Sequence, residues 1–213
     1  WEEKGIGYAW SEDLVHWPEQ KYIPVMAHEP KAKNCWAPEL FYDEEKKQFL
    51  IVWATTIPGR FPETDNQSNE GPPHPGNNHR LYYTTTTDFE QFSKTKIFYN
   101  KGFNVIDGTI EQTDSKYILF LKDETNNPFT PQKNIRYAVS DHPTGPYGET
   151  SGPITGDYWA EGPTAIKIKG EWVVYFDKYR EGKMGAVRSE ILENWTEISE
   201  KVHFPEGTRH GTV

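Results

Sequence analysis

The sequence predicts an all-β chain folded as a five-bladed β-propeller, on three observations. Short runs of aromatic and β-branched residues recur between Gly, Pro, Asn and Asp, as strands do between turns. No segment carries an apolar stripe at helical spacing for three turns. Two sequence markers also return together at intervals of about 50 to 75 residues, and a repeat near 50 residues with about four strands is typical of propeller blades.

The strand-like runs divide the chain into successive blades. Gly7–Ser11 and Gln20–Val25 form the last two strands of an opening blade. Three complete blades and the first strand of a later one follow, and they begin near Trp36, Asp107, Glu161 and His210. Their further strands are predicted at Phe49–Thr56, Arg80–Thr86, Lys116–Lys122, Asn134–Ser140, Ala165–Ile168, Trp172–Phe176 and Met184–Ser189. Residues 1–213 are therefore expected to form a single propeller domain that is incomplete at both ends.

The first marker is a tripeptide whose first residue changes from blade to blade. Its four copies are Trp36-Ala37-Pro38, Asp107-Gly108-Thr109, Glu161-Gly162-Pro163 and His210-Gly211-Thr212. A small residue followed by Pro or Thr favours the same extended geometry each time. The first strand of a propeller blade is innermost, so the four variable side chains are expected to converge beside the central channel. Two of them are carboxylic acids, which is the pair that a two-carboxylate hydrolase needs.

The second marker is a polar turn that begins with Ser or Thr and closes on an aromatic residue. The aromatic residues are Trp17, Phe92, Tyr147 and Trp195. The first interval is the longest because Pro58 to His79, rich in Pro, Gly and Asn, is an inserted loop. The loops between second and third strands are expected to surround the pocket at the channel mouth, and they are Ile57–Asn78, Asp123–Lys133 and Asp177–Lys183.

Composition excludes several classes of function. The net charge of -9 and the pI near 5.3 argue against a nucleic-acid partner and favour a neutral or weakly polar substrate. Cys35 is the single cysteine, so it is expected to be a small buried residue rather than part of a disulfide. No apolar run approaches the roughly 20 residues of a membrane helix. Since Trp1 is not a natural start, a targeting segment upstream is expected, with secretion or a periplasmic location.

Five motifs together resemble glycoside hydrolase family 43, over nearly the whole chain. They are Trp159-Ala160-Glu161-Gly162-Pro163, Trp36-Ala37-Pro38-Glu39, Ile106-Asp107-Gly108, the Ser-x-Asp-Leu-x-x-Trp turn from Ser11 to Trp17, and His210-Gly211. The resemblance implies a five-bladed propeller of the arabinofuranosidase, xylosidase or arabinanase type. Such an enzyme acts on arabinose- or xylose-containing plant polysaccharides and inverts the anomeric carbon. Gly108 departs from the family pattern, in which many members carry Pro.

The resemblance also implies roles for the two carboxylates. Glu161 matches the general acid, which protonates the leaving oxygen, and Asp107 matches the residue that tunes the pKa of the acid and orients it. Partial burial and a nearby like charge are expected to raise the pKa of Glu161 and keep it protonated near neutral pH. The general base is expected one blade before Trp36, which places it upstream of Trp1. Without that base, the chain alone is expected to hydrolyse little or nothing.

Trp36 and His210 are candidate substrate-binding residues. The face of Trp36 is suited to stacking on a sugar, although core packing is an equal alternative. The resemblance suggests that His210 ligates a calcium ion or a water, yet imidazole is an unusual ligand for calcium and a structural hydrogen bond is the alternative. No cofactor is required beyond this structural calcium. His74 and His79 are interpreted as solvated loop residues at the rim of the pocket.

Other functions stay open at this point. Glu161 and Asp107 could each form a structural ion pair. A propeller without the base would bind glycans without cleaving them. A relative that acts on fructose-containing sugars would be expected to carry Glu followed by Cys, which the Glu161-Gly162 pair does not match. In each case the expected partner is a carbohydrate, with no nucleic acid and no membrane span.

Overall fold

Strands make up almost all the regular structure in the computed structural model, which describes residues 3–68, 76–126 and 132–212. In chain order they are β1 (Ile6–Tyr8), β2 (Lys21–Ile23), β3 (Trp36–Asp43), β4 (Gln48–Thr56), β5 (His79–Thr86), β6 (Lys96–Tyr99), β7 (Val105–Gln112), β8 (Tyr117–Asp123), β9 (Asn134–Ser140), β10 (Glu161–Ile168), β11 (Glu171–Lys178), β12 (Lys183–Ser189) and β13 (Thr196–Glu197). Two short 3₁₀ helices, Pro62–Ser68 and Ser199–Lys201, complete the set in these ranges.

The strands form antiparallel sheets that follow the order of the chain. Among the described residues these are β1-β2, then β3 to β6, β7 to β9 and β10 to β13. Each sheet is a meander in which every strand pairs with the next, as in a propeller blade. The all-β prediction is therefore confirmed. The outer strands β6 and β13 were not expected from the sequence, and they are only four and two residues long.

The third sheet has three regular strands where four were expected. After β9 the chain turns back and donates hydrogen bonds from Gly148, Ser151 and Ile154 to the carbonyls of residues 139, 137 and 135. The returning segment thus advances three residues for every two of β9. A regular ladder needs equal steps on both strands, so this segment covers the edge of β9 without forming a strand.

The strand predicted to begin at His210 is also absent from the described residues. Residues 202–212 contain turns and bends but no strand, and His210 itself lies in a bend. Ile198 donates its backbone N–H to Ala186 of the fourth sheet, whereas the later backbone hydrogen bonds from residues 201, 202 and 208 stay within this segment. The side chain of His210 is consequently held by side-chain contacts, described below, rather than by a sheet.

The core consists of three apolar clusters, each lying between two neighbouring sheets. Trp53 and Ile23 belong to the cluster between the first two sheets, Leu81 and Leu119 to the next, and residues 120 and 176 to the last. Full burial of side chains of this size contributes about 1.5–3 kcal/mol each. Cys35 packs against the first cluster and is only partly buried. The sheets therefore stack face to face in chain order, and the inner strand β7 contacts both β3 and β10.

A β-bulge interrupts the start of each of these inner strands. Three residues of the inner strand oppose two of its neighbour between Trp36 and Glu39, and the same shift recurs between residues 106 and 109 and between residues 161 and 164. The second bulge residue has a left-handed backbone each time: φ is 48° at Ala37, 53° at Asp107 and 56° at Gly162. Asp tolerates this conformation better than most residues because its short side chain bonds locally.

The bulges show that the predicted alignment of the tripeptides is wrong by one residue in the middle blade. Asp107 occupies the second bulge position, with Ala37 and Gly162, whereas Glu161 occupies the first position with Trp36 and Ile106. The tripeptides resemble one another locally but do not superpose. Bulges re-aim side chains next to functional sites. Here the offset allows the Asp107 carboxylate to reach the neighbouring strand start, as described below.

The polar turns repeat in three of the four predicted places. Leu14, Phe89 and Leu192 take the left-handed position of the turn, with φ of 60°, 55° and 70°. The indole of the closing Trp17 donates to the carbonyl of Leu14 at 3.3 Å, and Trp195 repeats this contact with Leu192 at 3.0 Å. The turn after Ser140 differs and contains a cis Gly145-Pro146 bond. Within the described residues there is also no helix with the length and apolar character needed to span a bilayer.

Candidate active site

Three of the four predicted side chains meet at the starts of the inner strands. One ligand atom from each of Asp107, Glu161 and His210 lies within 4.8 Å of the others. The carboxylate Oδ2 of Asp107 accepts a hydrogen bond from the backbone N–H of Gly162 at 2.9 Å. His210 Nε2 lies 3.1 Å from Glu161 Oε1. The bulged position of Asp107 thus ties the start of one inner strand to the start of the next.

Glu161 is surrounded by cations. Lys122 Nζ lies 3.1 Å from Oε2, and Arg209 Nη2 lies 3.2 Å from Oε1, beside His210. Burial raises the pKa of Glu161, but the hydrogen bond from His210 and the charge of Lys122 lower it to about 2. Glu161 is therefore ionised in this arrangement. The expectation of a raised pKa was wrong because opposite charges contact this carboxylate more closely than like charges do.

The pKa of Asp107 is shifted in the opposite direction to that of Glu161. Burial raises the pKa of Asp107, and this outweighs the charge of Lys122 and the hydrogen bond from Gly162. The hydrogen bond with Glu161 raises the pKa of His210, although burial opposes it. The site therefore holds one carboxylate in its charged form beside another that is shifted toward the neutral form. A difference in pKa between two neighbouring acids is typical of acid/base sites.

A third carboxylate, Asp177, was missed by the sequence reasoning. It is fully buried on β11, directly opposite Glu161 in the ladder. Arg209 Nε donates to its Oδ2, and His210 Nε2 lies 3.8 Å from the same oxygen. The sequence did contain a signal for it, namely charged residues at the end of an apolar strand. The second strands of two sheets end in this way: β8 in Lys122-Asp123 and β11 in Asp177-Lys178.

Lys122 joins the acid to the loop between β8 and β9. Its Nζ lies 2.5 Å from Glu124 Oε2, and Lys133 Nζ binds the other oxygen of Glu124 at 2.6 Å. The Lys122 and Lys133 side chains are 4% and 2% exposed. Although burial lowers the pKa of Lys122, the carboxylates of Glu124 and Asp107 raise it above its usual range. Lys122 thus stays charged. Glu124 links the two ends of the loop between β8 and β9, because it pairs with both Lys122 and Lys133.

Trp36 lies outside the three-residue cluster and packs against His79. Their ring centroids are 5.4 Å apart, and Trp36 remains partly exposed. The interpretation of His79 as a solvated residue was wrong: it begins β5, is buried, and donates its backbone N–H to Asn104 Oδ1 at 2.8 Å. Burial lowers the pKa of His79 to about 4, so its ring is neutral and apolar enough to support Trp36. His74 lies outside the described residues.

The aromatic residues near Glu161 include two that the sequence reasoning did not single out for this site. Trp159 precedes Glu161 by two residues, and its ring centroid lies 5.9 Å from that of Tyr179. Lys122 Nζ lies 4.7 Å from the Tyr179 ring, and Arg180 Cζ lies 4.3 Å above the Trp159 ring. These side chains border the charged cluster on the side of the turn between β11 and β12.

The donor set of the cluster does not fit the calcium ion that the family resemblance suggested at His210. Calcium takes about six to eight oxygen ligands. Glu161 already accepts hydrogen bonds from Lys122, His210 and Arg209, and these cations would repel a divalent ion. A raised pKa at His210 also favours imidazolium, which cannot ligate a metal. The side chains form a hydrogen-bonded ion cluster, and no step below depends on a metal.

Comparison with known proteins places the chain in a family. A family model described as "Probable glycosyl hydrolase domain", of the kind related to glycoside hydrolase family 43, matches residues 3–213. The chain belongs to this family. An α-L-arabinofuranosidase of Bifidobacterium longum subsp. longum is 25% identical in an alignment of 185 residues that covers 74% of this chain. This chain matches only 16% of the length of that relative.

Solved structures share the fold of this glycosyl hydrolase domain. A thermostable family 43 glycoside hydrolase has a TM-score of 0.66 at 15% identity, over 93% of this chain and 66% of its own. The family 43 protein BlXynB from Bacillus licheniformis, solved as a mutant, has a TM-score of 0.64 at 18% identity, over 92% of this chain and 37% of its own. At these identities the likeness concerns the fold, and it agrees with the family 43 resemblance of the sequence.

Proposed function

We propose that this domain carries the acid side of an inverting glycosidase site that cleaves arabinose- or xylose-containing glycans, with Glu161 as general acid. The observation that carries the proposal is the meeting of Glu161 and Asp107 at neighbouring inner-strand starts, joined through the backbone of Gly162. The family match supports glycan hydrolysis. The name of the curated relative supports an arabinofuranoside as the first substrate to test.

Glu161 must carry a proton when it meets the glycosidic oxygen. His210 Nε2 is the donor within reach, at 3.1 Å from Oε1, and the pKa of His210 is raised. A sugar that displaces Lys122 or Arg209 would remove the charge that stabilises the carboxylate. The proton would then pass from His210 to Oε1, and from there to the leaving oxygen as the glycosidic bond breaks. Asp107 orients this pair and opposes ionisation of Glu161 through its own charge.

The water-activating base belongs elsewhere on the ring. Inversion requires a second carboxylate roughly 6.5–9.5 Å from the acid, so that a water fits between them. Asp107 lies within the 4.8 Å cluster, and Asp177 is occupied by Arg209. The proposed base therefore comes from the inner strand of a fifth blade, preceding Trp36 and upstream of Trp1. The support for this position is the repeat spacing of the inner strands.

A non-catalytic glycan-binding domain is the second candidate. The observation in its favour is that His210 and Lys122 hold the pKa of Glu161 at about 2, which leaves no proton on this side chain at neutral pH. In that case the same face would bind sugar, and the cations would contact its hydroxyl groups. Turnover distinguishes this candidate from the hydrolase.

The test is hydrolysis by the natural full-length protein. Aryl α-L-arabinofuranoside and aryl β-D-xyloside would be offered together with unactivated oligosaccharides, and NMR would identify the anomer first released. Replacing Glu161 with Gln is expected to reduce kcat on the oligosaccharides by about 10²–10⁴, since general acid catalysis contributes this much. Glu171→Gln, at the far end of the same sheet, is the matched control. Turnover that survives Glu161→Gln would refute the assignment, and binding without turnover in the wild type would favour the second candidate.

A further inference from the structure

Arg180 differs from the other cations around the site in what it contacts. Four neighbouring cations each bind a carboxylate, and they are Lys122, Lys133, Lys178 and Arg209. Among the residues that the structure describes, no carboxylate pairs with the guanidinium of Arg180. The guanidinium lies over the ring of Trp159, with Cζ 4.3 Å from the centroid. We call these two side chains the Trp159–Arg180 stack.

The stack lies at the end of the fourth sheet that displays Glu161. Arg180 belongs to the turn between β11 and β12, and Trp159 lies two residues before the start of β10. Because Glu161 pairs with Asp177 in the antiparallel ladder, residues before the first and after the second lie at the same end of the sheet. Tyr179 connects the stack to the acid: its ring lies 5.9 Å from Trp159 and 4.7 Å from Lys122 Nζ.

A guanidinium placed over an aromatic ring is positioned without being neutralised. The cation–π contact contributes about 0.5–2 kcal/mol and restricts the side chain. The N–H donors of Arg180 remain available, and the side chain is exposed to solvent. Planar guanidinium donors match a carboxylate in a bidentate pair, which is the strongest hydrogen-bonded arrangement of this group. A neutral sugar hydroxyl can accept one of these hydrogen bonds, but it does not compensate the charge as a carboxylate does.

We propose that Arg180 binds the carboxylate of a uronic acid unit in the glycan, next to the unit whose bond lies at Glu161. This inference rests on the proposed glycan-hydrolysing function. The substrate class is then an arabinose- or xylose-containing glycan that also carries a uronic acid. The net charge of -9 repels such a glycan at long range, so the preference arises from the local contact with Arg180 rather than from the overall field.

The test compares two oligosaccharides that differ only at the carboxylate. Titration calorimetry on the full-length protein would use a xylo-oligosaccharide with one glucuronic acid branch and its carboxyl-reduced counterpart, in which CH₂OH replaces the carboxylate. The wild type is expected to bind the acidic form about tenfold more tightly, a difference of about 1.4 kcal/mol. Arg180→Gln should abolish this ratio while the affinity for the reduced form is kept. Arg188→Gln, at the opposite end of β12, is the matched control and should leave the ratio intact.

The outcomes separate this inference from the function on which it rests. Equal affinity for the two oligosaccharides, together with hydrolysis of neutral substrates, would overturn the inference alone. An unchanged ratio in Arg180→Gln would also overturn it. Failure of both oligosaccharides to bind or be cleaved, with the neutral panel also inert, would overturn the proposed function together with the inference. Loss of the ratio at high salt in the wild type would support a charge contact.

Discussion

The site end and the far end of the third and fourth sheets carry the same residue types in opposite environments. At the site end, Lys122 is 4% exposed and Asp177 is fully buried, and both contact charged partners. At the far end, Lys116 pairs with Asp141, and these side chains are 49% and 72% exposed. A strand interior made of apolar residues connects them. Charged side chains on these sheets are therefore exposed to water at one end and buried at the other.

Burial changes the contribution of an ion pair to stability. Exposed pairs contribute about 0–1 kcal/mol, because water already stabilises both partners. A buried charge must be compensated by its neighbours, since it has lost its hydration. At the site end the compensation is shared: Lys122 contacts both Glu124 and Glu161, and Arg209 contacts both Glu161 and Asp177. The far-end pairs have no such shared partners among the described residues. The following experiments compare the two ends.

The largest expected effect is on stability when one buried cation is removed. Lys122→Met leaves the carboxylates of Glu124 and Glu161 without a common partner, and it should lower the free energy of unfolding by about 3–5 kcal/mol. Lys116→Met at the far end should change it by less than about 1 kcal/mol. Urea unfolding at pH 7 measures both values. Similar losses in the two variants would show that the ends do not differ as described.

The second effect is a pH dependence that only the site end should show. The pKa of Glu161 is lowered from 4.5 to about 2 in the folded chain, so its ionised form stabilises the fold above pH 4.5, and this contribution is lost as the pH falls toward 2. The contribution is on the order of 3 kcal/mol. Urea unfolding at pH 7 and pH 3 should therefore show a smaller acid loss in Glu161→Gln than in the wild type. Glu171→Gln should retain the wild-type acid loss.

Local pattern was sufficient to predict most of the fold. Apolar and β-branched runs identified Asn134–Ser140 with its observed bounds and the other central strands to within a few residues. The turns at Trp17 and Trp195 were predictable because their geometry depends on a few neighbouring side chains. Strand order also followed, since each strand pairs with the next along the chain.

The site was predictable only in part, because its chemistry depends on distant residues. Asp107 and Glu161 could be selected from repeated motifs, but the groups that lower the pKa of Glu161 are His210 and Lys122, which lie far from it in the sequence. The one-residue offset of Asp107 was hidden for another reason. Gly108-Thr109 resembles Gly162-Pro163 in sequence, whereas the bulge is defined by pairing with the next strand.

A smaller and opposite effect is expected at Asp107. Burial raises the pKa of Asp107 above its usual 3.8, so its ionised form destabilises the fold at higher pH, and this penalty disappears as the pH falls through the folded pKa. Asp107→Asn keeps an oxygen that can accept the Gly162 hydrogen bond. It should stabilise the chain at pH 7 by about 0.5–2 kcal/mol while lowering kcat, as is common at functional sites. Asp141→Asn at the far end should not stabilise; a gain there would contradict the comparison.

The last expected effect distinguishes two equivalent bulge positions, one inside the site and one outside it. Gly162 has φ of 56°, and an added Cβ would lie 2.7 Å from His210 Cδ2. Gly162→Ala should therefore cost about 1–2 kcal/mol in backbone strain and displace His210 from Glu161. NMR titration should then show the pKa of His210 closer to its usual value, because the hydrogen bond that raises it is lost.

Ala37 has φ of 48° at the equivalent position of its blade, outside the charged cluster. Ala37→Gly relieves about 1–2 kcal/mol of left-handed strain but adds about 0.5–1 kcal/mol of entropy cost, so the expected gain in stability is about 0–1.5 kcal/mol. The titration of His210 should be unchanged in this variant, because Ala37 is not part of the cluster that holds His210. A shift of the His210 pKa in Ala37→Gly would mean that the inner strands transmit strain between blades. The two bulges would then act together rather than as separate local features.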